Sequence, residues 1–160
     1  MLEAMRSRRS VRSFDGTPVD PGLIDKVLDA GRWAPSGMNN QPWRFAVITD
    51  GGLKDQISQL TIYSRIISHA SALIAVFLDT GSSYHRTKDV QAVGACIQNM
   101  LLAVHSLGLG GVWMGEILKS GEELKELLNA PEAFELMAVI ALGHPKGPVP
   151  EPPARKGLEE

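Results

Sequence analysis

The sequence predicts a sandwich of the α/β or α+β class, folded as one domain over residues 1–160. Three observations lead there. Helix and strand signals alternate loosely along the chain, as layered architectures require. The run Ala72 to Leu78 is continuously apolar and bounded by polar residues, the pattern of a strand covered on both faces, although periodicity alone also allows a buried helix. The longest helical stretch is apolar nearly all round, so it must be enclosed on most sides. A chain of this length can bury roughly 70% of the surface its unfolded form exposes.

The elements follow in order. Asp20 can cap free amides and Pro21 suits a first helical position, so Val19-Asp20-Pro21 opens a helix. Leu23, Ile24, Val27 and Leu28 continue it at helical spacing, and it ends before Pro35. Trp43 to Thr49 is rich in aromatic and β-branched residues and reads as a strand. A short helix is expected around Leu53, Ile57 and Leu60, then the strand at 72–78 and a polar loop from Gly81 to Lys88. The long helix runs from about Lys88 to Leu107, with Gly108 as its stop. Val90, Val93, Ile97, Met100, Leu101 and Val104 form one apolar face, while Ala92, Ala95, Cys96, Leu102 and Ala103 cover much of the rest. One small core can hardly surround such a helix, and a second copy of the chain is the economical cover. Gly110 to Met114 reads as extended, Ser120 with Glu123 as a capping box, and Glu135 to Leu142 as a last strand. Residues 145–160 hold Pro145, Pro148, Pro150, Pro152 and Pro153 and are expected to run extended over a surface.

Composition excludes several classes. The net charge of −2 argues against nucleic acid as the main partner. Cys96 is the only cysteine, so no intrachain disulfide forms, and its apolar setting predicts a buried, inert thiol. No apolar run reaches the ~20 residues of a membrane helix, and there is no signal-peptide core. A cytoplasmic protein is expected. His69, His85, His105 and His144 are scattered, without metal-ligand spacing.

Two stretches carry candidate chemistry. Arg6, Arg8, Arg9 and Arg12 crowd the first twelve residues, with Ser10 between them. Guanidinium forks match phosphate oxygens two at a time, and a hydroxyl adds a donor; a solvated basic helix end would look the same. Arg155 and Lys156 form a second basic pair beyond the prolines. The segment from Ala34 to Trp43 joins a helix to a strand with two prolines, a glycine and the polar Ser36, Asn39, Asn40 and Gln41. That is more chemistry than a plain connection needs. Its amides can read the edge of a heterocycle, or can simply cap an Asx-rich turn.

Taken together, RRSVRSF at 8–14, APSGMNNQPWRF at 34–45, GLGGVWMGE at 108–116 and the stretch at 141–160 resemble the FMN-dependent nitroreductase family. The resemblance implies an α+β, nitroreductase-like three-layer sandwich. In it a mixed, mostly antiparallel sheet is flanked by helices, and two subunits interlock as a homodimer with FMN at the interface. It also implies roles by position. Arg8, Arg9 and Ser10 would hold phosphate and ribityl chain, Arg12 would sit beside flavin N1 and O2, and Arg155 and Lys156 would complete the phosphate site. Pro35, Ser36, Gly37, Asn39 and Gln41 would line the flavin of the neighbouring subunit. The backbone of Trp113, Met114, Gly115 and Glu116 would face the ring, with an amide reaching N5.

The implied activity is hydride transfer from NADH or NADPH through flavin N5 to a small acceptor, such as a nitroaromatic or quinone, in ping-pong order. No metal and no side-chain acid or base is required. A dehalogenase or dehydrogenase of the same fold, and a flavin-carrying module without turnover, are the alternatives. The chain is short for the family, so residues that roof the active site in relatives cannot be carried over.

Overall fold

Four strands form the central layer: β1 (Trp43–Ile48), β2 (Ala72–Asp79), β3 (Gly110–Met114) and β4 (Phe134–Gly143). They lie in the order β1-β2-β4-β3, each pair antiparallel. The structure is a computed structural model and describes residues 1–149, 151 and 154–159. The expected continuous apolar run is β2, and its two-faced burial explains the lack of alternation. Ala72, Ile74, Val76 and Leu78 pack into one core, while Leu73, Ala75 and Phe77 pack into the other. Each fully buried aliphatic or aromatic side chain contributes about 1.5–3 kcal/mol, so this strand anchors both sides of the sandwich.

On the first face lie α2 (Pro21–Arg32) and α5 (Arg86–Ser106). Asp20 caps α2 as expected, its carboxylate accepting from the Gly22 amide at 2.7 Å. The two helices approach closely at Gly31, where a Cβ would stand 2.7 Å from Met100 Cγ and 3.1 Å from Cys96 Sγ. Helix α5 ends at Gly108, whose φ of +75° and amide bond to the His105 carbonyl make it the expected terminator. On the second face lie α3 (Gly51–Ser58), α4 (Ser64–His69) and α6 (Gly121–Leu127). The layers are those of the expected α+β sandwich.

Some expectations need correction. The N-terminal α1 (Leu2–Ser7) buries no residue and left no apolar period to detect. The segment between Thr49 and Ala72 holds two helices, not one. Helix α5 begins at Arg86, inside the stretch expected to be loop. The capping box fails as well. Ser120 precedes α6 but makes no side-chain cap bond, because a 3-10 turn over Glu116–Ser120 already leads the chain into the helix. Among the described residues, no helix is long and apolar enough to cross a membrane.

Candidate functional site

The arginine segment is set beside the sheet by its own backbone. The Val11 amide donates to the Gly111 carbonyl at 3.0 Å, and Ser10 pairs with Gly111 in a single parallel bridge. Glycine permits this closeness: a Cβ on Gly110 would lie 2.7 Å from Val11 Cγ1. Further along, Phe14 bridges Pro145 and the Asp15 amide donates to the His144 carbonyl. The N-terminal segment is thereby fixed between β3 and the start of the C-terminal tail.

This docking places Arg12 at the end of β3. There a recess of about 200 Å³ is lined by Arg12, Tyr63, Ile66, and the run Val112 to Glu116. Trp113, Met114, Gly115 and Glu116 are thus brought together with Arg12. Strand alternation divides their roles. The Met114 side chain is in the core, whereas Trp113 is 43% exposed. Tyr63 and Ile66, which sequence reasoning missed, come from the turn into α4 and α4 itself. A six-residue helix of mixed composition carries too little periodicity to be read, so nothing local announced them.

Glu116 is held as a carboxylate. It accepts from Thr61 Oγ1 at 2.5 Å and pairs with Lys119. The bond from Lys119, followed by that from Thr61, keeps its pKa below the usual carboxylate range. An ionised carboxylate with two partners is a structural element, not a proton donor. Thr61, buried, was also missed.

A second group of cations gathers at the other end of the segment. Burial lowers the pKa of Arg8 first, and the charges of Arg9 and Arg155 lower it further. Arg155 is therefore within electrostatic range of Arg8. Lys156 is exposed on the same tail, and the prolines at 150, 152 and 153 lie outside the described residues. No ion pair among the described residues engages Arg8, Arg9 or Arg12. Arg9 Nη1 reaches only the carbonyls of Arg6 and Arg8, both at 2.6 Å, and its buried Nε has no partner. Like charges drawn together, with a buried donor left over, suit an oxyanion of several oxygens.

The segment containing Pro35, Ser36, Gly37, Asn39 and Gln41 does not line the recess at Arg12. It is a strained loop elsewhere on the subunit. Met38, Asn39 and Gln41 have φ values of +54°, +55° and +47°, conformations that cost non-glycine residues free energy. Ser36 Oγ accepts from the Gln41 amide at 3.0 Å, closing the loop. Gly37 lies under the Tyr84 ring, where a Cβ would collide with the hydroxyl.

Asn40, in the same loop, donates from Nδ2 to Asp89 Oδ1 at 2.9 Å. Asp89 is fully buried at the start of α5, and its Oδ2 accepts from Ser83 Oγ and the amides of Tyr84 and His85. This anchor was not foreseen, because an aspartate in the first turn of a helix ordinarily faces water.

The sequence matches the model of the Nitroreductase family over residues 5–64 and 54–144. It is 35% identical over 148 residues to an Archaeoglobus fulgidus protein provisionally named NADH dehydrogenase/NAD(P)H nitroreductase, covering 91% of this chain and 85% of that one. It is 29% identical over 180 residues to iodotyrosine deiodinase of Thermotoga neapolitana, covering 96% and 92%. Among solved structures, a Desulfovibrio desulfuricans protein, provisionally a nitroreductase and crystallised with FMN, superposes with a TM-score of 0.93. It shares 42% identity, covering 99% of this chain and 92% of that one. The NADPH:FMN oxidoreductase of Vibrio harveyi, complexed with NAD+, superposes at 0.89 with 25% identity, covering 99% and 74%. Sequence and fold agree: this chain belongs to the Nitroreductase family.

Proposed function

We propose that the chain is an FMN-dependent oxidoreductase that works as a homodimer and passes hydride from NADH or NADPH to a small acceptor. The observation that carries this reading is the docked segment from Arg8 to Arg12. It presents uncompensated cations at one end and a recess bounded by strand backbone at the other. Relatives named as NAD(P)H-dependent flavin oxidoreductases, and a similar structure crystallised with FMN, support the same assignment.

The residues present fit this cofactor. Arg8, Arg9 and Ser10, with Arg155 or Lys156 from the tail, would hold the phosphate, and the orphaned Nε of Arg9 gives that end a donor awaiting an oxygen. Arg12, in the recess with Gly115 and Glu116, would face the N1–O2 edge, and a backbone amide at 115 or 116 would serve N5. Bound there, FMN would supply the redox chemistry that relays hydride between nicotinamide and acceptor, which we place in ping-pong order. The protein's share is orientation and electrostatics. Arg12 places positive charge where reduction would build negative charge, and Glu116, already ionised, leaves proton supply to solvent.

The loop at Pro35 to Gln41 would serve the neighbouring subunit. Its support is the uncovered side of α5. There Leu102 and Ala103 join Met1, Met5 and Trp33 around an open apolar recess of about 540 Å³, with Trp33 75% exposed. A largely apolar, exposed face of that kind suits a subunit interface.

The test is direct. Purified protein should carry a flavin absorption spectrum that releases as FMN, run as a dimer in solution, and bleach on anaerobic addition of NADH or NADPH. A colourless protein indifferent to added FMN would end the reading. A coloured protein indifferent to both nucleotides would favour the flavin-carrying module. The close similarity to a deiodinase keeps reductive dehalogenation among the acceptors to assay.

A further inference from the structure

Arg12 lines two recesses, and the second is not accounted for by the flavin. It measures about 320 Å³ and is bounded by Arg12, Ser13, Phe14, Arg65, His69 and Lys146. Its walls are tied by backbone. The Lys146 amide donates to the Ser13 carbonyl at 2.9 Å, Phe14 bridges Pro145, and the His69 ring is held by the Arg65 carbonyl at 2.9 Å. Three permanent cations from three separate parts of the chain converge here, in a protein whose net charge is −2. No ion pair among the described residues engages Arg65 or Lys146. Asp15, next in sequence to Phe14, accepts from the Thr17 amide, and Glu116, in the adjoining recess, is bound to Thr61 and Lys119.

We propose that this basic recess is an anion subsite continuous, through Arg12, with the flavin pocket, and that it selects reactants bearing a carboxylate or phosphate. The inference rests on the oxidoreductase reading above. A bound anion would be met by the fork of Arg65 and the ammonium of Lys146, while Arg12 keeps its place at the pocket boundary. Charge-assisted bonds to such groups are among the strongest available at a partly open surface. Two reactants could bring the charge: the ribose phosphate that distinguishes NADPH from NADH, or an acidic group on the acceptor.

The experiment uses the flavin-loaded dimer and the double variant Arg65→Glu with Lys146→Glu, neither residue being assigned to FMN. Three quantities are compared with the parent: the FMN dissociation constant, the NADPH/NADH ratio of kcat/KM, and the ratio for 4-nitrobenzoate over nitrobenzene. Calorimetric titration with 2′,5′-ADP and with benzoate adds a readout without turnover.

FMN affinity should be unchanged, and one of the two ratios should fall about tenfold or more through KM, with loss of the matching calorimetric signal. A fall in the first ratio assigns the recess to the donor, and a fall in the second to the acceptor. In the parent, the affected KM should rise with ionic strength. The proposal is overturned if neither ratio moves, or if the variant loses FMN, which would make the recess part of the cofactor site. A parent that binds no FMN sinks the functional reading first and separately.

Discussion

Asp89 shows how one buried charge can anchor a loop that lies away from the recess at Arg12. Desolvation pushes its pKa up, but the bonds from Ser83, Asn40, His85 and Tyr84 together outweigh burial, and the net shift is downward. A carboxyl group whose folded pKa lies below its unfolded value, about 4, adds stability that is complete above that value. The contribution disappears as the pH falls through the folded pKa. Asp89→Asn should therefore be less stable than the parent at neutral pH, and the gap should close in acid below about pH 4, as followed by urea unfolding across pH. Asn40→Ala is the complementary change. It releases the loop but leaves the three Oδ2 bonds in place. It should cost only about 1 kcal/mol of stability while weakening FMN binding, measured by fluorescence titration. Unchanged flavin affinity would show that the anchor serves the fold alone. Neither partner could be picked from sequence as a pair, since 49 positions separate them and only tertiary packing supplies the burial.

Among the elements, all four strands and most helices were readable, and two short helices without a clear apolar period were missed. Helix α2 announced itself through Asp20, Pro21 and a regular stripe, and β2 through seven consecutive apolar residues. Helices α1 and α4 have six residues each, too few for a period to register. The seating of the arginine segment on β3 was equally hidden, because a single bridge at Ser10 leaves no pattern. It depends on Gly110, and a side chain there has a clear consequence. Gly110→Ala would drive a methyl into the β-branched Val11, which cannot swing away as a flexible chain would. The expected loss is about 1–3 kcal/mol in thermal or denaturant unfolding. FMN affinity should fall in parallel, because Arg8, Arg9 and Arg12 would move as a unit. A variant that keeps both properties would show that the segment yields without moving its arginines.

For the whole molecule, the informative signal was an excess of apolar surface on α5. The subunit buries Ala92, Val93, Cys96, Ile97, Met100, Leu101 and Val104 by itself. Cys96 is among them, its thiol pushed up to about 12 by burial, in keeping with an inert structural cysteine. What remains is the side with Leu102, next to Trp33 and Met5. Trp33→Glu and Leu102→Glu should each shift the protein from dimer toward monomer in sedimentation or light scattering. Flavin should be lost with the shift, since a charge at the centre of an apolar contact is costly to desolvate. A dimer unaffected by both changes would place the interface elsewhere. The loop from Pro35 to Gln41 could be recognised as unusual from its composition, but its absence from the recess at Arg12 becomes visible only in three dimensions.

The closeness of Arg8 and Arg155 has a thermodynamic corollary. Two guanidinium groups from the N-terminal segment and the C-terminal tail repel each other there, so an anion placed between them would relieve that repulsion. On the proposed reading, a dianion captured there would also fasten the C-terminal tail, and limited proteolysis should cut that tail more slowly with FMN bound than without it.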